Sequence, residues 1–239
     1  MDVPSTVATA LEDQSVDGAT CLEAGAGVGN ATAGLLAAGA ERVYAVTNDA
    51  EHARTVRERV ARDDPDRSVA LEADLRELPL VDDTVDIITA HGLFNVVPPA
   101  SLDAIATEVT RVATPGCHLV VDDYEPLPAD ADVRELFAVE NAASQLAEGR
   151  PALAFYPAAA LRRLFEGYGW TFDRKRTLLD PVPWTESHLD AHAAAVRSRA
   201  AGLPERDADR LVTRADRIVD DIGEERVGEM YSLAFRRPD

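Results

Sequence analysis

Short apolar runs alternate with amphipathic segments along the first half of the chain. The apolar runs, rich in β-branched residues and typical of strands, lie at 19–24, 42–46, 68–72, 85–89 and 117–121. The segments between them with the apolar spacing of helices lie at 31–38, 51–62 and 102–112. Strands that alternate with helices form βαβ units, in which successive strands are parallel. The pattern therefore predicts an α/β fold with a doubly wound, mostly parallel sheet.

The second half of the chain contains more predicted helix. Residues 130–149 form one helical segment, and Pro157 begins another that ends at Gly169. Strand-like runs follow at 170–179 and 229–236. Two more helical stretches separate these runs, and the second has one apolar face, formed by Leu211, Ala215, Ile218, Val219 and Ile222. A helical pair inserted between two strands must bury its apolar face against another part of the protein. We therefore predict that it is part of a cap.

This pattern predicts a single domain over residues 1–239 with helical insertions at 127–160 and 184–225. The chain before the first strand has room for one helix, from Pro4 to Asp13, so an N-terminal lid would be small. The two insertions are therefore expected to cover the substrate. We predict that Phe155, Tyr156 and Trp184 form apolar walls of the covered site.

The charge balance narrows the choice of partners. The chain has 43 acidic and 24 basic residues, a net charge of −19, and one lysine, Lys175. Such a surface repels nucleic acid and acidic membranes, so we expect neither as a partner. Acidity can select cationic substrates, but these charges mark no single site. We therefore favour adaptation to a salty cytoplasm, where the Debye length falls from ~10 Å at 0.1 M salt to ~3 Å at 1 M, and predict a halophilic source.

The N-terminal residues and the cysteines indicate a cytoplasmic protein. Residues 1–6 carry no basic cluster and lead into no long apolar stretch, so no signal peptide is expected. No window approaches the ~18 apolar residues of a membrane span. Cys21 and Cys117 lie singly in apolar runs, where cysteine behaves as a small hydrophobic residue.

A glycine-rich turn lies where the first strand passes into the first helix. Segment 21–29 reads CLEAGAGVG, which places Glu23 before Gly25, Gly27 and Gly29. Glycines allow a tight turn and close approach of backbone to a ligand, and the helix beyond begins with free N–H donors. The dinucleotide pattern G-x-G-x-x-G requires glycine at position 30, where Asn30 stands. The spacing therefore argues against a nicotinamide-dependent oxidoreductase.

The pattern Glu-x-Gly-x-Gly-x-Gly resembles the first motif of the class I S-adenosylmethionine-dependent methyltransferases. Three more segments extend the resemblance in the same order: ADLRELPL at 73–80, VDII at 85–88 and RVATPGCHLVV at 111–121. The resemblance implies the family's Rossmann-like fold with seven strands. It also implies S-adenosylmethionine as the cofactor, methyl transfer as the activity, and residues 1–126 as the cofactor-binding half.

The resemblance assigns cofactor-binding roles to individual residues. The three glycines of the turn would admit the amino acid end of the cofactor. Glu23 would accept from its ammonium group, directly or through water. Asp74 would accept from the adenine amine, and the neighbouring Leu75 is also assigned to the cofactor site. Asp74 also suits the N-cap of a helix, and one side chain can serve either role.

The second strand departs from the family pattern. An acidic residue normally accepts from both ribose hydroxyls there, but Thr47 occupies the aligned place and is followed by Asn48 and Asp49. A charged acceptor is worth ~1.5 to 3 kcal/mol and a neutral one ~1, so Thr47 alone would weaken cofactor binding about tenfold. Asn48 or Asp49 could compensate, although Asp49 also suits the N-cap of the next helix. A non-catalytic S-adenosylmethionine-binding or interaction protein stays open as the alternative.

His91 is the candidate catalytic residue. Ligands of such sheets bind beyond the carboxyl ends of the strands, which singles out His91 after the fourth strand and residues 122–125 after the fifth. Methyl transfer gains ~7 to 11 kcal/mol from alignment in favourable cases, so no catalytic triad is required. A general base helps only where the acceptor must lose a proton, and His91 titrates near neutral pH. A structural hydrogen-bonding role for His91 is the other interpretation.

Two further patterns favour a small organic acceptor and argue against a metal. Segment 91–95, HGLFN, lacks the Asn/Asp-Pro-Pro-aromatic run of the family's enzymes that methylate nucleic acid bases, and Pro98 and Pro99 come too late. His188 and His192 share a predicted helix face at i and i+4, but no third ligand completes a zinc pattern. We expect both histidines on the surface, and the oligomeric state is left open.

Overall fold

The computed structural model describes residues 3–61 and 64–239. Nine strands lie in this part of the chain: β1 (Thr20–Ala24), β2 (Arg42–Thr47), β3 (Ser68–Glu72), β4 (Val85–His91), β5 (Ala113–Tyr124), β6 (Thr171–Leu179), β7 (Pro183–Trp184), β8 (Glu225–Arg226) and β9 (Met230–Arg236). The predicted end of one helix, at residue 62, lies outside the described residues.

Seven of these strands form the central sheet in the order β3-β2-β1-β4-β5-β9-β6. The pairs from β3 to β5 are parallel, and β9 runs antiparallel to both β5 and β6. The short strands β7 and β8 pair with each other. This sheet confirms the predicted doubly wound, mostly parallel α/β fold.

The described residues include eight α-helices, some of which pack on the sheet while others form a separate cluster. They are α1 (Ser5–Leu11), α2 (Asn30–Ala37), α3 (Ala50–Val56), α4 (Leu102–Val112), α5 (Val133–Glu148), α6 (Ala158–Gly167), α7 (Glu186–Ala200) and α8 (Glu205–Ile222) among the described residues. A π-helical turn, Arg57–Ala61, extends α3. The helices lie where the apolar periodicity predicted them, with ends shifted by a few residues.

Strand β5 is longer than its sequence pattern predicted. The apolar run ends at Val121, but the strand continues to Tyr124 because its ladder with β9 pairs Asp122 with Ser232 and Asp123 with Tyr231. The acidic residues expected in a loop after the strand are therefore part of it. Asp122 and Asp123 are buried there.

The apolar core consists of three clusters. Alternate residues of the strands face the two sides of the sheet, so that Leu22 and Ile88 belong to one cluster while Ile87 belongs to the other. Cys117 and Cys21 are buried in these two clusters, as their apolar surroundings predicted. The third cluster joins α5, α7 and α8 around Trp184. We call these three helices the cap.

Candidate functional site

A cavity of about 770 Å³ lies at the carboxyl ends of β1 to β4. Its lining from the sheet side comes from Gly25 and Gly27 and from the segments 47–49, 74–76, 91–93 and 96–98. The cap adds Glu140 from α5 and Arg199 from α7. A cavity of this size and composition is typical of a small-molecule site.

The glycine-rich turn follows β1 and contributes backbone to the cavity. Gly25, Gly27 and Gly29 have φ values of 76°, 50° and 82°, a left-handed conformation that favours glycine. A Cβ atom on Gly25 would lie 2.6 Å from Leu93 Cδ1, whereas one on Gly27 would meet only the Gly25 carbonyl oxygen, at 4.0 Å. Gly29 is the N-cap of α2 and packs against Val60. Two of the three predicted glycines therefore line the cavity, and the third shapes the turn.

Glu23 lies beneath this turn and is bonded to the first turn of α2. Its carboxylate accepts hydrogen bonds from Ala31 N (3.1 Å), Thr32 N (2.9 Å) and the Thr32 hydroxyl. Burial raises the pKa of Glu23 to about 7, although the bonds from Thr32 and Ala31 and the charge of His91 act in the opposite direction. The N–H donors of α2 that we expected to be free for a ligand are thus bonded to Glu23.

The wall after β2 combines neutral and acidic acceptors. Thr47 is buried, and its hydroxyl accepts a hydrogen bond from Asp49 N at 3.2 Å. Asp49 caps α3 as predicted, since its Oδ1 accepts from Glu51 N and His52 N. These bonds, the largest contribution coming from His52 N, lower the pKa of Asp49. Asp49 therefore places an ionised carboxylate on the cavity wall. It lies two residues beyond Thr47, which occupies the place of the acidic residue in the family pattern.

Asp74 and Leu75 line the cavity after β3. The N-cap interpretation of Asp74 is wrong, because the residues that follow it form a turn and not a helix. The carboxylate instead accepts from Arg76 N at 2.9 Å and pairs with the Arg76 guanidinium at 2.5 Å. These contacts with Arg76 lower the pKa of Asp74. Short polar side chains commonly bond backbone two residues ahead in this way.

His91 ends β4 beside Asp122 of β5, its direct neighbour in the ladder. His91 Nδ1 lies 3.0 Å from Asp122 Oδ2, while the buried Asp122 Oδ1 has no hydrogen-bond partner among the described residues. Burial lowers the pKa of His91, but the bond to Asp122 and the charges of Asp122, Glu23 and Asp123 outweigh it, so that the pKa is raised. Burial also raises the pKa of Asp123 to about 7.

The cap end of the cavity differs from the sequence prediction. In the structure, Phe155 and Trp184 pack with Phe137 inside the cap, and Tyr156 donates to the Val97 carbonyl; the lining here comes instead from Ala152, Leu153 and charged residues. The predicted aromatic walls are therefore wrong. The aromatic residues fill the cap interior because several elements bury them together.

The expected surface position of His192 is also wrong. His192 is partly buried, and its ring packs at a tilt against Phe137 while its Nδ1 bonds Glu140. The exposed His188 belongs to the capping box of α7. Within the described residues, no group of three His, Cys, Asp or Glu side chains is arranged to hold a metal ion. No helix in that part of the chain is long and apolar enough to cross a membrane.

The fold of the described residues is similar to that of several solved structures. The described structure is similar over its whole length to a putative methyltransferase from Bacillus halodurans C-125, with a TM-score of 0.66, 15% identity, and coverage of 99% of this chain and 100% of the other. It is also similar to the [4+2]-cyclase SpnF, with a TM-score of 0.65, 18% identity, and coverage of 97% and 79%. At these identities the two similarities establish the fold alone.

Sequence comparison finds a methyltransferase domain match in the first half of the chain. Residues 21–116 match a family model described as a methyltransferase domain. A demethylmenaquinone methyltransferase from Clavibacter sepedonicus is 36% identical over 124 residues, which are 51% of this chain and 48% of the relative. The match thus spans about half the length of this curated relative. Residues 21–116 therefore match a methyltransferase domain, and the fold of the described residues is similar to that of a putative methyltransferase. Both findings agree with the resemblance carried by the four sequence motifs.

Proposed function

We propose that the protein binds S-adenosylmethionine in the cavity and transfers its methyl group to a small organic acceptor. One observation carries the proposal: the segments 25–27, 47–49 and 74–76, which the resemblance relates to three different parts of the cofactor, contribute to one cavity. The methyltransferase domain match at 21–116 supports the same activity.

The chemistry of the lining fits this cofactor. The space beside Gly27 is open, so a ligand can approach the backbone closely there. The carboxylates of Asp49 and Asp74 are hydrogen-bond acceptors suited to hydroxyl and amine groups, and Asp49 compensates for Thr47 at the aligned position. Leu75 and Leu93 add apolar surface. When bound, S-adenosylmethionine supplies an electrophilic methyl group on a sulfonium.

His91 is the candidate proton acceptor. Its Nδ1–H donates to Asp122, so Nε2 is the nitrogen with a free lone pair. Asp122 positions the ring, and Nε2 can take the proton of a hydroxyl or amine as that group is methylated. Because the pKa of His91 is raised, the neutral form that can act as a base becomes dominant only above its ordinary titration range.

The cap, within the predicted segments 127–160 and 184–225, is proposed to enclose the acceptor. Glu140 of α5 and Arg199 of α7 lie on the cavity wall, and α8 packs behind both helices. Enclosure excludes water and holds the acceptor in line for displacement. The net charge of −19 disfavours nucleic acid as the acceptor, and the matched relative is named as a demethylmenaquinone methyltransferase. We further propose that the protein acts in a salt-rich cytoplasm.

Calorimetric titration of the Gly27→Val variant tests the cofactor site. A branched side chain at Gly27 would project into open space on the cavity wall, so we expect binding of S-adenosylmethionine to be lost. Gly18→Val is the matched control, because Gly18 also has a positive φ, 73°, and open space around it but is not part of the lining. The control should retain wild-type affinity despite similar backbone strain.

Two results would contradict the proposed function. Tight binding of a nicotinamide dinucleotide without binding of S-adenosylmethionine would refute the cofactor assignment. Binding of the cofactor without transfer of a labelled methyl group to any small molecule of a cell extract would favour the non-catalytic alternative.

A further inference from the structure

A group of charged side chains occupies the cap end of the cavity and has no part in the proposed cofactor site. We call Glu140, Glu148, Arg150, His192 and Arg199 the cap-end cluster. Glu140, Arg150 and Arg199 line the cavity, whereas Glu148 and His192 pair with them from outside the lining. Charged groups at a cavity wall are costly to desolvate unless they are paired or bind a ligand.

The two acidic members of the cluster already have partners. The side chain of Glu140 is 5% exposed, and its two oxygens accept from His192 Nδ1 (2.6 Å) and Arg199 Nη1 (3.0 Å). Glu148 lies between the two arginines, with Oε2 3.0 Å from Arg150 Nη2 and Oε1 3.3 Å from Arg199 Nε. The negative charge of both carboxylates is therefore already balanced by neighbouring basic side chains.

The two arginines, by contrast, have donor capacity to spare. Each guanidinium carries five N–H donors and accepts none. The buried Arg199 Nε has no hydrogen-bond partner among the described residues, since its contact with Glu148 lacks the geometry of a hydrogen bond. Arg150 is half-exposed and pairs with Glu148 alone in that part of the chain. Because Arg150 and Arg199 both line the cavity, their guanidinium groups are placed to donate to a ligand there.

We propose that Arg150 and Arg199 bind an oxyanion of the methyl acceptor, a carboxylate or a phosphate group. Arginine recognises such groups through paired, charge-assisted N–H···O bonds. The chain's own Glu148 carboxylate lies within ion-pairing distance of both guanidinium groups, so one carboxylate can reach the two arginines together. This inference rests on the proposed function, because it concerns the acceptor of that reaction.

The rest of the lining indicates the other end of the acceptor. Apolar side chains line the same cavity as His91 and the arginines, among them Val96, Val97, Ile105 and Leu153. Such a surface binds hydrocarbon by removing it from water. The acceptor is accordingly an amphiphilic acid, with an apolar body along this surface and its acidic group on the two arginines.

Calorimetric titration with four matched probes, each added to the protein saturated with S-adenosylhomocysteine, tests this inference. Octanoate, monooctyl phosphate, octanol and octylamine share one hydrocarbon chain and differ in the head group. We expect one of the two anions to bind at least tenfold more tightly than octanol and octylamine, as measured by calorimetry, and the better anion identifies the acidic group.

Two variants assign the preference to the arginines. Arg150→Met and Arg199→Met should each reduce affinity for the anion about tenfold, while affinity for S-adenosylhomocysteine stays at the wild-type value. Arg197→Met is the matched control, because Arg197 lies on the same helix, pairs with Asp216 and is not part of the lining. Since Arg150 is half-exposed and its ion pair is with Glu148 at the end of α5, its variant tests the inference even if Arg199→Met fails to fold.

The possible failures are distinguishable. If the wild type does not bind S-adenosylhomocysteine, the proposed function is wrong and this inference falls with it. If it binds S-adenosylhomocysteine but prefers octanol or octylamine, or if both arginine variants keep the anion preference, the inference alone is overturned.

Discussion

At the residue scale, the carboxyl ends of β1, β4 and β5 bring four ionisable side chains together. Glu23, Asp122 and Asp123 are buried carboxyl groups, and His91 lies among them at the edge of the cavity. Burial raises the pKa values of Glu23 and Asp123 to about 7, while the acidic neighbours raise that of His91. The protonation state of this edge therefore changes near neutral pH, where His91 is proposed to act.

Replacing Asp122 should lower the pKa of His91. Asp122→Asn removes the charge and the ionic hydrogen bond that raise this pKa, so burial, which lowers it, would dominate. The His91 imidazole can be followed by NMR titration of the labelled protein. Asp86→Asn is the control. Asp86 lies on β4, as His91 does, but at the opposite end of the strand, where it bonds Thr20 and Thr114. An unchanged His91 titration in Asp122→Asn would refute the assigned role of Asp122.

The pair formed by His91 and Asp122 makes the free energy of unfolding depend on pH. The folded-state pKa of His91 is above its ordinary value of 6.5, so the folded protein binds the proton more tightly than the unfolded chain. The resulting stabilisation is fully present below about pH 6.5 and is lost as the pH rises through the folded-state pKa. We expect the difference in unfolding free energy between wild type and Asp122→Asn to be largest below pH 6.5 and to narrow above it, as measured by urea denaturation.

At the element scale, the cap helices form a hydrophobic cluster of their own. Leu136 and Phe137 of α5, Leu189 and Val196 of α7, and Ala215 of α8 are buried together. The sheet packs mainly through two other clusters, and Met230 of β9 is its buried residue in the cap cluster. The cap can therefore loosen without disturbing the glycine-rich turn, and removing α7 and α8 altogether would expose the apolar face of α5.

Truncating Leu189 should loosen the cap selectively. Leu189 is fully buried between the cap helices, and a Leu→Ala change in a core costs ~2 to 5 kcal/mol. We expect faster amide exchange in α5, α7 and α8, unchanged exchange in β1 to β4, and S-adenosylhomocysteine affinity within about twofold of wild type. Leu146→Ala is the control, because Leu146 of α5 is 61% exposed. Equal loss of protection in the sheet would show that cap and sheet unfold as one unit.

At the scale of the whole molecule, the net charge of −19 is the dominant electrostatic feature. Most of the ion pairs involve partly exposed side chains, and such pairs contribute ~0 to 1 kcal/mol each. They cannot offset the long-range repulsion among the excess carboxylates. Salt weakens both the attraction within ion pairs and the repulsion among carboxylates. Because the repulsion extends over the whole surface, its loss has the larger effect.

The melting temperature should therefore rise with KCl concentration from dilute buffer to molar salt. Screening removes the repulsion that favours the expanded, unfolded chain. Sucrose at matched osmolality is the control, since it stabilises by exclusion from the surface without screening charge. A melting temperature that is the same in dilute buffer and molar KCl would contradict the predicted halophilic adaptation.

The sequence by itself determined the order and type of the elements and the class of fold. Apolar periodicity, turn residues and the N-cap at Asp49 are local properties, readable without knowing what packs against them. The glycine spacing after β1 is equally local, which is why Gly25 and Gly27 could be identified as lining residues before the cavity was known.

Only the tertiary structure decided which distant side chains meet. Asp122 became part of β5 because the antiparallel partner β9 extends its ladder, and Glu23 bonds α2 instead of remaining open to a ligand. Arg199 and Glu140 are 59 residues apart in the chain and meet because α5 and α7 pack together. No periodicity encodes such a contact, since it depends on the angle and register at which two helices bury their apolar faces.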